Sequence, residues 1–200
     1  MTINLETEEL TLRLWRQVYQ TYTLLKKCED QIFEEYGLTT EQYAVLSAID
    51  YFSGPVKVSD IALWLERSTN SVSMIIDRMV KVGLVRRIRN TRDRRVVHVF
   101  NTSKGEDALK PATVASLDVV RKIMLPLSLE EKSTLLSLLG TIKYEMLVCL
   151  NPGMNLEERK RKEFEQAANV KKWLSEYSLP SYPQAKRQGG EKRKTKKKTE

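Results

Sequence analysis

Apolar residues along this chain recur mostly at helical spacing, which predicts a mostly α-helical fold with one short β segment. A first long helix is expected from about Thr7 to Tyr36, where Leu14, Val18, Tyr22, Leu25, Ile32 and Tyr36 fall at three-, four- or seven-residue steps. Gly37 supplies its stop. A second helix opens with Thr39-Thr40-Glu41-Gln42, where a threonine oxygen can cap a free N–H while Gln42 reaches back. Tyr43, Leu46 and Ile49 line one face, and the helix ends near Phe52. Ser59 is the expected cap of a short third helix, with Ile61, Ala62 and Leu65 facing a core and Arg67-Ser68 forming the turn. Ser68 caps a fourth helix, whose apolar stripe is Val72, Ile75, Ile76, Met79 and Val80 and whose opposite face is small and polar.

Beyond Gly83 the pattern changes. Leu84 to Asn90 and Val96 to Phe100 are short and rich in Val, Ile and Phe, and they flank the polar connection Thr91 to Arg95, which predicts an antiparallel β-hairpin. Thr102 or Ser103 starts a fifth helical segment that Pro111 is expected to kink or interrupt, since proline lacks the backbone donor. Val114, Leu117, Val120 and Ile123 continue it. Ser128-Leu129-Glu130-Glu131 is a capping box for a very apolar sixth helix that ends at Asn151-Pro152-Gly153. A last helix, from about Asn155 to Tyr177, is supported by Glu157–Arg161 and Glu158–Lys162 pairs, with Phe164, Ala168, Trp173 and Tyr177 on a sparse apolar side. Disorder is expected beyond Pro180.

Charge sharpens this outline. The net charge is +8, but residues 185–200 alone contribute +6 and residues 86–95 a further +5, leaving a mildly acidic body. The one dense internal cationic stretch holds Arg86, Arg87, Arg89, Arg92, Arg94 and Arg95 against Asp93, and it points to an anionic partner such as a phosphate backbone. No uninterrupted apolar run reaches the roughly 18–20 residues that span a bilayer, and the acidic start is unlike a signal peptide, so a cytoplasmic protein with no membrane partner is expected. Cys28 and Cys149 are far apart and read as small buried hydrophobes rather than a disulfide or zinc site. His98 is the lone histidine. Neither a phosphate-cradling glycine loop nor a nucleophile-base-acid set is present, so no enzyme activity, metal or cofactor is expected.

Helix, tight turn, helix and a strand pair with a basic tip form an arrangement with a physical use. A helix about 10–12 Å across fits the major groove of DNA when a neighbour buries its back. The fourth helix meets that description. Ser68, Thr69, Asn70, Ser71 and Ser73 are short side chains that allow close approach to bases and phosphates. Arg86 and the hairpin-tip residues Arg92, Arg94 and Arg95 supply further cationic contacts. Arg95 is the expected minor-groove residue, with Asp93 accepting hydrogen bonds that direct it.

These residues resemble the MarR (multiple antibiotic resistance regulator) family of winged helix-turn-helix regulators. The likeness rests on Gly37-Leu38-Thr39 before Gln42-Tyr43, Arg67-Ser68-Thr69 through Asp77-Arg78-Met79, Gly83-Leu84-Val85-Arg86-Arg87, and Asp93-Arg94-Arg95 before Asn101-Thr102-Ser103-Lys104-Gly105. It implies a homodimer with interlocking N- and C-terminal helices (residues 1–36 and 106–150) around winged domains (37–105), with an accessory amphipathic helix (151–180) and a basic tail (181–200) outside the typical pattern. It also implies a pseudo-palindromic double-stranded DNA operator, repression, and a small aromatic effector. Trp15, Tyr19, Tyr22 and Tyr43 are the candidates for an effector pocket, although packing or dimer contact explains them more simply. Met74 stands where such regulators often carry a polar or basic residue, so base preference does not transfer. Two other readings compete: a winged protein-interaction module that docks a partner through residues 155–177, and a nonspecific architectural DNA binder.

Overall fold

The computed structural model describes residues 5–89 and 97–177 of the 200-residue chain. The hairpin tip with Arg92, Asp93, Arg94 and Arg95, and the basic segment 181–200, lie outside the described residues. The described elements are helices α1 (Leu5–Glu34) and α2 (Thr40–Phe52), strand β1 (Val56–Lys57), helices α3 (Val58–Trp64) and α4 (Thr69–Lys81), and strands β2 (Val85–Arg89) and β3 (Val97–Asn101). Helices α5 (Ser103–Met124), α6 (Leu129–Leu150), α7 (Leu156–Ala167) and α8 (Val170–Ser175) complete them. The fold is a mostly helical winged helix with a three-stranded antiparallel sheet in the order β1-β3-β2.

Local chemistry sets several boundaries. At α2 the Gln42 N–H donates to Thr39 Oγ1 at 3.2 Å, and the Thr39 N–H donates to Gln42 Oε1 at 2.9 Å. The same reciprocal pair opens α6, with Glu131 N–H to Ser128 Oγ at 3.2 Å and Ser128 N–H to Glu131 Oε2 at 2.7 Å. Each pair satisfies two N–H groups that the helix start leaves free. Elsewhere the structure departs from expectation. Helix α3 begins at Val58 rather than after a Ser59 cap: β1 pairs with β3 through Val56–Val99 and Lys57–His98, and the chain leaves the sheet directly into the helix. Pro111 does not break α5, and both it and Asp107, whose carbonyl it leaves without the helical donor, are exposed residues. The expected last helix is two, and Glu157 pairs with Lys160 at 3.0 Å rather than with Arg161, while the Glu158–Lys162 pair forms at 2.8 Å.

The hydrophobic core lies wholly between Phe33 and Ala112. The C-terminal end of α1, with α2, α3, α4, β2, β3 and the first half of α5, converges on it. Helix α6 buries no residue, and α1 buries only Phe33. Cys28 is partly buried and Cys149 is exposed on α6, against the expectation that both are buried. By length and composition, α6 is the one helix among the described residues apolar enough to cross a membrane. It also carries Lys143, ion-paired to Glu163 at 2.6 Å.

Candidate nucleic-acid interface

The interface is built on the first turns of α4. Ser68 sits in extended backbone and its Oγ accepts the Ser71 N–H at 3.2 Å, a cap that stabilises a helix by roughly 0.5–2 kcal/mol. Thr69 and Asn70 are exposed, and Ser71 and Ser73 are partly buried. Behind them Val72, Ile75, Ile76 and Met79 enter the core, so the polar face has no freedom to rotate inward. The first turn carries no acidic residue, and its unpaired N–H groups and positive dipole end favour an approaching anion. The structure thus gathers Ser68, Thr69, Asn70, Ser71 and Ser73 at one end of one helix. Met74, 65% exposed, shares their outward side.

The base of the wing is fixed against this helix. Lys104 Nζ donates to the Val82 carbonyl at 2.8 Å and Thr102 Oγ1 to the Gly83 carbonyl at 2.6 Å, which satisfies acceptors left free as α4 ends. Gly83 takes φ +74°, a left-handed turn that glycine enters without steric cost. A Cβ on Gly105 would stand 2.2 Å from the Leu84 carbonyl oxygen, so the start of α5 can lie against β2 only with glycine there.

Strand β2 divides its arginines between two faces. Arg87 turns toward α4, where its guanidinium donates to the Asp77 carboxylate and, at 3.3 Å, to the Ser73 carbonyl oxygen. It was absent from the set expected from sequence, although period-two alternation from the buried Val85 marks it. Arg86 lies on the other face, 5.2 Å above the ring of its cross-strand partner Phe100. It borders a cavity of about 430 Å³ with Asp50, Glu106, Lys172 and Glu176, and so is not brought alongside α4.

The aromatic candidates do not converge within one chain. Trp15, Tyr19 and Tyr22 are exposed along α1, whereas Tyr43 stacks on Phe33 with ring centroids 3.8 Å apart. Burial pushes the Tyr43 phenol pKa above its ordinary value. Tyr22 and Phe33 stand eleven positions apart, which corresponds to about 16 Å of helix. The segment read as a partner-docking helix instead seats two of its aromatic residues on its own chain. Trp173 Nε1 and Tyr177 OH both donate to Asp50 Oδ2, at 2.8 and 2.7 Å. Burial first, and then this bond to a carboxylate, raises the Tyr177 phenol pKa.

Comparison with known proteins agrees with this geometry. Residues 36–96 match the MarR family model. The regulator MgrA of Staphylococcus aureus is 31% identical over 138 residues, which cover 68% of this chain and 88% of MgrA. The transcriptional activatory protein BadR of Rhodopseudomonas palustris is 35% identical over 99 residues, 48% of this chain and 57% of BadR, so the likeness spans little more than half of that protein. Among solved structures, a cysteine-to-serine mutant of E. coli MarR in complex with operator DNA superposes with a TM-score of 0.59 at 21% identity, covering 66% of this chain and 94% of that one. The organohalide-sensing regulator RdhR, bound to 2,4-dichlorophenol, gives 0.64 at 24% identity, with 74% and 88% covered. At these identities the structural likeness concerns the fold alone.

Proposed function

The chain belongs to the MarR family of DNA-binding transcriptional regulators, and from that premise we propose that it acts as a cytoplasmic homodimer on a pseudo-palindromic operator, repressing transcription until a small aromatic effector relieves it. The observation that carries this reading is the exposed, acid-free N-terminal turn of α4, capped by Ser68 and backed by a latched wing. Two such helices, one per protomer, would enter major-groove half-sites about one helical turn apart, near 34–36 Å. The dimerisation regions are residues 1–36 and 106–150, and the winged unit is residues 37–105. The uncovered apolar faces of α1 and α6 support that division. Repression follows from a dimer occupying promoter DNA.

Arg92, Arg94 and Arg95 are the proposed wing contacts, with Arg95 in the minor groove and Asp93 directing it. Residues 185–200 add a sequence-independent electrostatic tether through their charge of +6. An aromatic effector is supported in class by the dichlorophenol complex of RdhR. Trp15, Tyr19 and Tyr22 would join Tyr43 around such a ligand only with surfaces of the second protomer.

Footprinting on the DNA flanking its own gene, followed by titration of the recovered duplex at several salt concentrations, tests the proposal. Symmetric protection over two half-sites is expected. Arg95→Ala should weaken specific binding by at least about tenfold, the order of one groove contact, and deletion of residues 185–200 should flatten the salt dependence on every duplex. Unchanged operator affinity for Arg95→Ala overturns the minor-groove assignment. Equal affinity for operator and competitor DNA would mark an architectural binder instead.

A further inference from the structure

Helices α7 and α8 lie outside the matched family segment and contribute nothing to the hydrophobic core, yet they hold a buried charge. Arg159 is 9% exposed and is the only buried charged residue among the described residues. An unpaired charge at that depth costs several kcal/mol, so its partners show what it is there to hold. Nη2 donates to the Leu63 carbonyl at 3.3 Å, at the end of α3, and to the carboxylate of Glu66, while Nε donates to Glu163 Oε1 at 3.0 Å. The other oxygen of Glu163 accepts from Lys143 Nζ at 2.6 Å and Tyr144 OH at 2.9 Å, both on α6. One continuous polar chain therefore runs from α6 through Glu163 and Arg159 to the turn of the helix-turn-helix.

Where that chain lands is informative. Glu66 has φ +52°, a left-handed conformation that a residue with a Cβ adopts at a cost of about 1 kcal/mol or more. Two residues later Ser68 caps α4, so whatever pins Glu66 also sets the entry of the DNA-reading helix. Contact here is bridged rather than packed, since a cavity of about 230 Å³ remains among Leu63, Trp64, Lys143 and Val170. Beyond the break at Ala168-Asn169, α8 makes a second attachment: Trp173 and the residue just past the helix, Tyr177, converge on Asp50 of α2, and the Trp173 ring lies 6.1 Å from Tyr51. The two attachments grip the winged unit on α2 and α3 and tie it to α6, the long helix outside its core.

We propose that α7 and α8 form a brace, with Arg159 as its positioning residue, that holds the reading helix in one pose against α6 and thereby makes the dimer selective for one half-site spacing. This rests on the dimeric, DNA-reading function given above. Each added base pair moves a half-site by about 3.4 Å. A rigid protein meets one spacing without reorganising and meets the others poorly. A hinged one is paid less at the best spacing and loses less at the rest.

The test uses full-length protein and duplexes carrying the footprinted half-site twice, with the gap varied one base pair at a time. Wild type should bind best at one gap and lose about tenfold or more one base pair away, roughly the scale of a lost base contact. Arg159→Gln, and separately the double variant Trp173→Phe with Tyr177→Phe, should lose affinity at the best gap and vary by less than about threefold across gaps. The double variant keeps the Arg159 network intact, so it reads the second attachment even if Arg159→Gln compromises folding. Folded, dimeric variants that keep the wild-type profile, or that lose affinity equally at every gap, overturn the brace. A wild-type protein that is monomeric or binds no duplex overturns the proposed function instead.

Discussion

Ile76 is fully buried and Leu136 is 75% exposed, although both are aliphatic residues on regular helices of one chain. The difference is general to their surroundings. The core from Phe33 to Ala112 closes within one chain, and in it α4 turns one stripe inward and keeps a polar face outward. Helix α6 is apolar on nearly every side and buries nothing, and most of α1 behaves alike, with Leu10, Leu12 and Leu14 facing outward. In the proposed dimer a surface of that kind would be a core whose other half lies on the second copy. Reading DNA needs a polar face held outward by a core that is complete within one chain. Pairing two readers needs a face that only the second copy completes.

The largest way to break this contrast is Leu136→Lys, which puts a charge where a second α6 is proposed to pack. Sedimentation should show the 23.2 kDa monomer, with operator binding lost and the winged unit's fold retained by circular dichroism. A dimer of unchanged mass would remove α6 from the interface. Ile76→Ala acts on the other region and should cost about 2–5 kcal/mol, from lost burial and the cavity left behind. Denaturant melts should show the winged unit weakened first while cross-linking still captures dimers.

A smaller effect is expected in acid. Burial alone would raise the Glu163 pKa, but hydrogen bonds from Lys143 and Tyr144 and the charges of Lys143 and Arg159 outweigh it and hold the pKa below the usual value of 4.5. A lowered folded pKa means that the contribution of Glu163 is complete above the unfolded value and fades as pH falls through the folded one. Tryptophan fluorescence between pH 6 and 3 should therefore report a change around Trp64, which lines the cavity beside Glu163, below about pH 4.5, and Glu163→Gln should remove that step. A step identical in the variant would assign it to another group.

Sequence carried furthest where structure is local. Thr39, Ser68 and Ser128 cap their helices as their spacing predicts, because a cap involves only residues three apart. The polar face of α4 was legible for a related reason: an apolar stripe at helical period dictates what lies opposite. The hairpin was legible in its composition, but which arginine faces α4 was not. Arg86 and Arg87 are neighbours of one residue type on opposite faces of the strand, and only the packing of α4 against one of those faces selects Arg87. Strand β1 escaped notice because two residues carry no period. They are a strand only because β3 lies beside them.

By itself the sequence determined the order of the helices up to α6 and of the hairpin between them, the caps at Thr39, Ser68 and Ser128, the charge of the wing and the family to which they belong, since each depends on residues close along the chain. Tertiary structure decided the attachments that join distant parts. Nothing near Arg159 foretells that it will cross 93 positions to Glu66, or that Tyr177 will cross 127 to Asp50. It also decided that the last helix breaks in two, with α7 attached to the turn after α3 and α8 to the end of α2. A buried charge or an exposed leucine is defined by what surrounds it, and those surroundings exist only once the chain has folded.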